Sequence, residues 1–292
     1  MSLNLIVWLL LCLIWGSTWI VIKIGLSDLP PISFATLRFL LAVLILFVVL
    51  RVRRIPLPTK AAEWRLIALT GVLQFSVTYS LIFWGEQHIT SGLTAVLQAM
   101  ISVFGLLLAW IFLPNERITA LKLLAVFLGI VGVAVIFGDQ LRVQSTLAFL
   151  ASVGVVISAY SASQASILVK AKGGALHPAA LLFGQMLCGL PMIIAYSLIV
   201  EGNPLHFRWT GQAVAAVIYL TIFGTVIAFW LFYWLLGRVE STMPMMISVV
   251  TPLIAVLLGW IVLGETLPPQ TFFGGLLIMA SIALTVFKRN SA

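Results

Sequence analysis

The feature that most constrains this chain is a succession of continuously apolar runs, each about as long as a bilayer is thick. Crossing roughly 30 Å of hydrocarbon takes about 20 apolar residues in a helix. Ten such runs can be read, near residues 5–26, 31–50, 65–86, 90–113, 119–138, 146–169, 178–200, 210–236, 241–263 and 270–287. Even the longest connection, Arg51 to Trp64, leaves no room for a soluble domain. Strands of a membrane barrel would alternate apolar and polar residues over about 10 positions, and these runs do not alternate. The predicted class is an all-α integral membrane protein with ten transmembrane helices. Proline placement agrees: Pro31 and Pro178 each fall in the first turn of a span, where a missing N–H costs nothing. Pro30 and Pro268–Pro269 fall in turns.

Composition closes the other classes. Hydrophobic residues make up 62% and charged residues 8% of 292, against about 25% charged in an ordinary soluble domain. Mean hydropathy is +1.20 and the pI 9.9. A soluble enzyme, a disordered tail and a fibrous protein are excluded. The net charge of +8 does not point to nucleic acid, because the positions of the basic residues explain it. Twelve Lys and Arg, from Arg51, Arg53 and Arg54 to Lys288 and Arg289, fall on the side of the N-terminus; only Arg142 and Arg208 fall on the other. By the positive-inside rule this makes both termini cytoplasmic and the protein multi-pass in an inner or plasma membrane. The Arg51–Arg54 cluster reads first as a topology signal and second as a lipid headgroup site. The first run has no preceding basic residue and no A-x-A site after it, so it reads as a retained helix rather than a signal peptide. Cys12 and Cys188, in apolar helix interiors, read as small core residues and not as a disulfide.

The halves resemble each other. Lys23 and Lys170 each precede a helix-starting proline by eight residues. At a shift of 150, Gly85–Ser91 lines up with Leu235–Ser241, Trp84 with Trp234, Trp110 with Trp260 and Gln98 with Ser248. Two repeats, 1–141 and 142–292, then hold five helices each. Five is odd, so the second must enter the membrane the other way up. Inverted repeats are typical of secondary transporters whose site lies at the midplane between the halves. Gly105 and Ala109 map onto Ala255 and Gly259, small-xxx-small pairs that let helices approach closely. They serve static packing or a rocking contact.

With the repeat in view, the opening Trp15-Gly16-Ser17-Thr18-Trp19, then Lys23, Leu29-Pro30-Pro31 and Leu37-Arg38-Phe39, resembles EamA-type members of the drug/metabolite transporter superfamily. Leu107–Arg117 and Val256–Thr266 resemble that family's repeated ending in an "LGE"-like turn, with Pro114-Asn115 replacing the glycine in the first copy. The resemblance spans both halves. It implies ten helices, cytoplasmic termini and export of small metabolites such as amino acids by alternating access, with the aromatic amino acid exporter branch favoured. Alternatives are export of other small metabolites or drugs, a lipid flippase or a channel. No cofactor or metal is implied. The partners are the bilayer and a small-molecule substrate, and one chain suffices to enclose a cavity.

Polar and aromatic groups deep in the spans are the candidate site, because in lipid such groups are costly and face a cavity. They are Trp15 and Trp19 in the first span, Gln74, Thr78 and Tyr79 in the third, Gln98 in the fourth, Tyr160, Ser163 and Gln164 in the sixth, Phe229 and Trp230 in the eighth and Ser248 in the ninth. Amides and hydroxyls supply donors and acceptors for amino and carboxylate groups; aromatic faces stack a ring or hold an ammonium. For the tryptophans and serines, packing and bonds to their own helix are the competing readings. Trp8, Trp64, Trp84, Trp110, Trp209, Trp234 and Trp260, near span ends, read as interfacial anchors. Pro244 and Pro252 lie on one face of the ninth span and make either a gating hinge or a static kink.

Lys23 can snorkel to the interface. Arg38, seven residues past Pro31 and hence about 10 Å deep, needs a partner: Glu86, helix-end carbonyls or a substrate carboxylate. A structural partner is favoured, since the counterpart in the second half is Gln185. All eight acids lie at helix ends or in connections, so no membrane carboxylate is placed to relay protons; facilitated transport is the expectation. His88, His177 and His206 lie on alternating sides and cannot meet, and there is no H-E-x-x-H or G-x-S-x-G motif, which argues against an enzyme.

Overall fold

The computed structural model describes residues 2–88, 94, 97–113, 119–136, 146–174, 176–263 and, singly or in pairs, 273, 274, 276, 277 and 280. Regular structure among them is all helical. Six helices are long and apolar enough to cross a membrane: α1 (Leu3–Leu26), α2 (Pro31–Val52), α3 (Ala61–His88), α6 (Thr146–Lys172), α7 (Pro178–Glu201) and α8 (Gly211–Leu236). Between and after them lie α4 (Met100–Phe112), α5 (Ala120–Ile136), α9 (Thr242–Met245) and α10 (Ile247–Leu263). The predicted span 270–287, the connection at 137–145 and the "LGE"-like turns after Leu113 and Leu263 fall wholly or largely outside the described residues.

The ninth predicted span is not one helix. It turns at Met246, between α9 and α10. The turn falls between Pro244 and Pro252, each lacking the N–H that an uninterrupted helix would use. Pro252 frees the Ser248 carbonyl, which the Thr251 hydroxyl approaches at 3.5 Å.

Two of the long helices carry a π turn near their middle: Val72–Val77 in α3 and Ile222–Ile227 in α8. They begin 150 residues apart, at Val72 and Ile222. A π turn leaves carbonyls without their usual partners, and side chains supply replacements here. Thr78 Oγ1 donates back five residues to Leu73 O (2.8 Å), and Thr225 Oγ1 back five to Leu220 O (2.8 Å). Ser161 of α6 also donates to Leu73 O at 2.9 Å, and Trp15 of α1 donates to Gly224 O at 3.2 Å. Each π turn is thus satisfied partly by the first helix of the other half.

The packing obeys the same exchange of halves. α1 lies along α10 and α8, as α6 lies along α4 and α3. α2 packs on α8, as α7 packs on α3, and α2 and α7 pack on each other. α3 and α7 approach backbone on backbone: a Cβ at Gly71 would run into the Gln185 carbonyl oxygen, and one at Gly189 would lie 2.8 Å from that of Gly71. Gly16 presses α1 onto α10, where a Cβ would lie 2.5 Å from Ile254.

Helix ends are tied by polar groups from other elements. The Glu201 carboxylate takes the Ile32 and Ser33 N–H groups at the start of α2 (2.9 and 2.5 Å) and the Ser33 hydroxyl (2.6 Å), satisfying donors that a helix N-terminus leaves open. Lys170 Nζ donates to Leu236 O and Val239 O, both at 2.7 Å, closing the end of α8. Asp28 accepts from Thr210 (2.6 Å) and pairs with Arg208 (3.5 Å), and Lys122 pairs with Glu240. Trp8, read from its position as an interfacial anchor, is instead 3% exposed and donates to Met243 O at 2.8 Å. Trp110 (71%) and Trp209 (44%) do face outward.

Gly71→Ala is expected to force α3 from α7 and lower the thermal midpoint of the detergent-purified protein, at a cost of about 1–3 kcal/mol for overpacking. Gly211→Ala, with nothing near the added methyl, should leave the midpoint unchanged or slightly raised. Lys170→Met should cost on the order of 2 kcal/mol, because each hydrogen bond from a charged donor contributes ~1.5–3 kcal/mol and this lysine is only half-buried. The same melting curves read it.

Candidate functional site

A cavity of about 860 Å³, counting its open mouth, lies between the two halves and takes side chains from both. α1 contributes Trp15, Thr18, Trp19 and Ile22, residues on successive turns of one face. α3 contributes Gln74, Thr78, Tyr79 and Ile82, beginning inside the π turn. Gln98 and Ile101 enter from the α4 end, Ala162 and Ser166 from α6, and Phe229 and Phe232 from α8. Pro244, Ile247, Ser248 and Thr251 line it from α9 and α10, and Arg38 from α2.

One wall is aromatic. Trp15 meets Phe229 edge-on at 5.3 Å and Phe232 at 5.4 Å between centroids. Phe229 continues to Phe75 at 5.1 Å, and Phe75 lies parallel to Tyr79 at 6.2 Å. Tyr79 meets Phe39 at 4.8 Å. Edge and offset contacts of this kind add to the area they bury and make the wall stiff. The polar wall is held from behind: Ser158 donates to Gln98 Oε1 at 2.8 Å, and the Ser248 and Ser102 hydroxyls bond at 3.1 Å.

Arg38 lies at the junction of the two walls and is 2% exposed. Its Nε donates to Thr225 Oγ1 at 2.6 Å and its Nη2 to Gly224 O at 3.0 Å. Its guanidinium carbon stands 5.2 Å from the ring centroids of both Phe39 and Tyr79. Of the partners considered from the sequence, neither Glu86 nor a helix end holds it; the carbonyl is one inside the π turn of α8.

The structure brings eight predicted site residues together: Trp15, Trp19, Gln74, Thr78, Tyr79, Gln98, Phe229 and Ser248. Pro244, read as a hinge, also lines the cavity; Pro252 is buried away from it. Four predicted residues lie elsewhere. Tyr160 is 46% exposed on the outside of α6, its ring against Phe104 at 5.6 Å. Ser163 is buried and bonds Ile101 O and Ala159 O, both at 2.8 Å. Gln164 is half-buried outside the lining, and Trp230 packs against His177 at 6.0 Å. The reason is one of face. α6 shows the cavity its small residues Ala162 and Ser166, and α8 shows it Phe229 and Phe232, so Tyr160, Ser163 and Gln164 on α6 and Trp230 on α8 lie off those faces. The positions missed from the sequence, such as Thr18, Ile82 and Phe232, lie three or four residues from ones that were found, and continuing that spacing recovers them.

The profile of the EamA-like transporter family matches residues 3–138 and again 149–287. The chain is 26% identical over 275 residues to the uncharacterized transporter YoaV of Bacillus subtilis (strain 168), covering 94% of each chain. It is 28% identical to the uncharacterized inner membrane transporter YedA of Escherichia coli (strain K12), covering 95% of this chain and 89% of that one. It is also 28% identical to a protein of Escherichia coli (strain K12) named a probable amino-acid metabolite efflux pump, covering 96% and 93%. A crystal structure 15% identical in sequence superposes over 99% of both chains with a TM-score of 0.81, a likeness of fold alone. A repeated profile that spans nearly the whole chain, on a membrane bundle with a central cavity, places this protein in the EamA-like transporter family.

Proposed function

We propose that the protein is a secondary transporter that exports small metabolites, amino acids in particular and aromatic ones above others, by alternating access. The observation that carries this is the cavity: it lies between the halves, with one wall of aromatic rings and another of amides and hydroxyls. A ring fits against Trp15, Phe229 and Tyr79, and the amino and carboxylate groups against Gln74, Thr78, Gln98 and Ser248. In this reading ten helices form two inverted five-helix repeats, 1–141 and 142–292, which exchange roles between outward-open and inward-open states. Support comes from the double profile match, the matched π turns and the exchange symmetry of the packing. Pro244 and Pro252, on either side of the turn at Met246, serve as the hinge. The bias of the basic residues supports cytoplasmic termini, and the relative named an inner membrane transporter supports that membrane. No acidic side chain is among the lining residues described, which favours movement down the substrate gradient without a proton relay.

The test is counterflow in proteoliposomes with labelled tryptophan, phenylalanine, threonine, cysteine and a nucleoside. Saturable exchange of the aromatic pair is the expected result. Exchange of another class keeps the carrier and removes the aromatic preference; no exchange of any compound sinks the reading in favour of a flippase or channel. Gln74→Leu and Phe229→Ala should each lower transport efficiency by about tenfold or more, as loss of a buried polar partner or an aromatic contact costs ~1–3 kcal/mol. Tyr160→Phe and Trp230→Phe, outside the cavity, should leave it within twofold of the parent (~0.4 kcal/mol). An imposed pH gradient at constant substrate gradient should not change the flux; a flux that follows it would establish proton coupling.

A further inference from the structure

Arg38 is the one charged side chain among the described residues lining the cavity, and its charge has no counter-ion there. Thr225, Gly224, Phe39 and Tyr79, which hold it, are all neutral. The described ion pairs are Lys122 with Glu240 and Arg208 with Asp28; Glu201 is engaged at the start of α2. A guanidinium keeps its proton in any protein setting, so a full positive charge stands in the wall of a cavity surrounded by apolar helices. Hydrogen bonds and ring faces fix its direction and offset part of its desolvation. They do not neutralise it, and in a low-dielectric surround an unpaired charge acts strongly on whatever enters. The other half does not duplicate it, since Gln185 holds the equivalent position. The cavity therefore presents one cation.

We propose that Arg38 is a charge filter: the cavity admits ligands that bring a carboxylate on an apolar or aromatic body, as anion or zwitterion, and disfavours organic cations of the same shape. This rests on the reading of the cavity as the transport site. It is a specificity role, separate from the ring contacts that select the ligand's body.

Four compounds with one phenyl ring isolate the charge: 3-phenylpropionate, its neutral amide, L-phenylalanine and 2-phenylethylamine. Each is titrated into the detergent-purified full chain, with quenching of tryptophan emission as the readout, since Trp15 and Trp19 line the cavity. The acid and the amino acid should bind at least tenfold more tightly than the amine, and the acid at least tenfold more tightly than its amide. Arg38→Lys should keep that order and Arg38→Gln should erase it. An amine that binds the parent as well as the acid does, an acid no better than its amide, no binding by any of the four, or an Arg38→Gln protein that keeps the order each overturns the filter. The first two comparisons need no variant, so they stand even if Arg38→Gln does not fold. Counterflow separates the two readings. Phenylalanine exchange without an acid–amine difference breaks the filter and leaves the carrier; an acid–amine difference in binding without exchange of any amino acid breaks the carrier and leaves the filter.

Discussion

In hydrocarbon no water is available to satisfy a backbone N–H or C=O, so each must find its partner within the protein. The architecture answers to that constraint. Most of the chain meets it by unbroken helix. Among the described residues, several departures from it come with a named side chain: Glu201 for the open donors of α2, Lys170 for the last carbonyls of α8, Thr78 and Ser161 for the π turn of α3. The π turn of α8 is the most heavily used of these places. Its Gly224 carbonyl receives both Trp15 and Arg38, so one irregular carbonyl fixes an aromatic wall and the cavity's charge together.

The two halves share this scheme and depart from it where specificity would need a difference. Their π turns coincide in register, and their helices pair in matched contacts. At the level of side chains the equivalence breaks. Arg38 reaches across to the π turn of α8, whereas Gln185 donates to Thr70 Oγ1 at 2.7 Å and stops at α3. Gly71 allows α3 and α7 to meet backbone to backbone, whereas Thr221, its counterpart, donates to Arg38 O at 3.2 Å. The frame is thus matched between the halves while the cavity lining is not.

Most of the frame was legible in the sequence because membrane helices announce themselves by length and continuity rather than by phase. Six of the ten predicted spans coincide with helices long and apolar enough to cross a membrane, and the fourth, fifth and ninth are covered in part by shorter described helices. The break in the ninth was signalled by its prolines but could not be placed at Met246, since a proline disturbs the helix over a whole preceding turn. Two-thirds of the proposed binding residues lie at the cavity, and the three on α6 that miss it have a common cause. Reading polarity as inward-facing works for Gln74 and Gln98, whose amides must be satisfied. It fails on α6, where close packing requires small residues inside and leaves Tyr160 on the outside. Face is a matter of phase, and a span that is apolar all round carries little phase. The π turns left almost no trace, because the threonines that support them occur in ordinary helices too.

Those π turns have a mechanical corollary. Each holds one residue more than the α-helical register requires, and one residue corresponds to about 100° of rotation. In α3 the extra residue lies between Gly71, locked against α7, and Tyr79 and Ile82, which face the cavity. Removing a single residue from Val72–Val77 would wind the helix back to regular pitch and swing both side chains round the axis, with hydropathy and length almost unaltered. The lining of this cavity is therefore set by a count of residues as much as by their identity: α3 works as a threaded shaft whose angular setting is held by one spare residue.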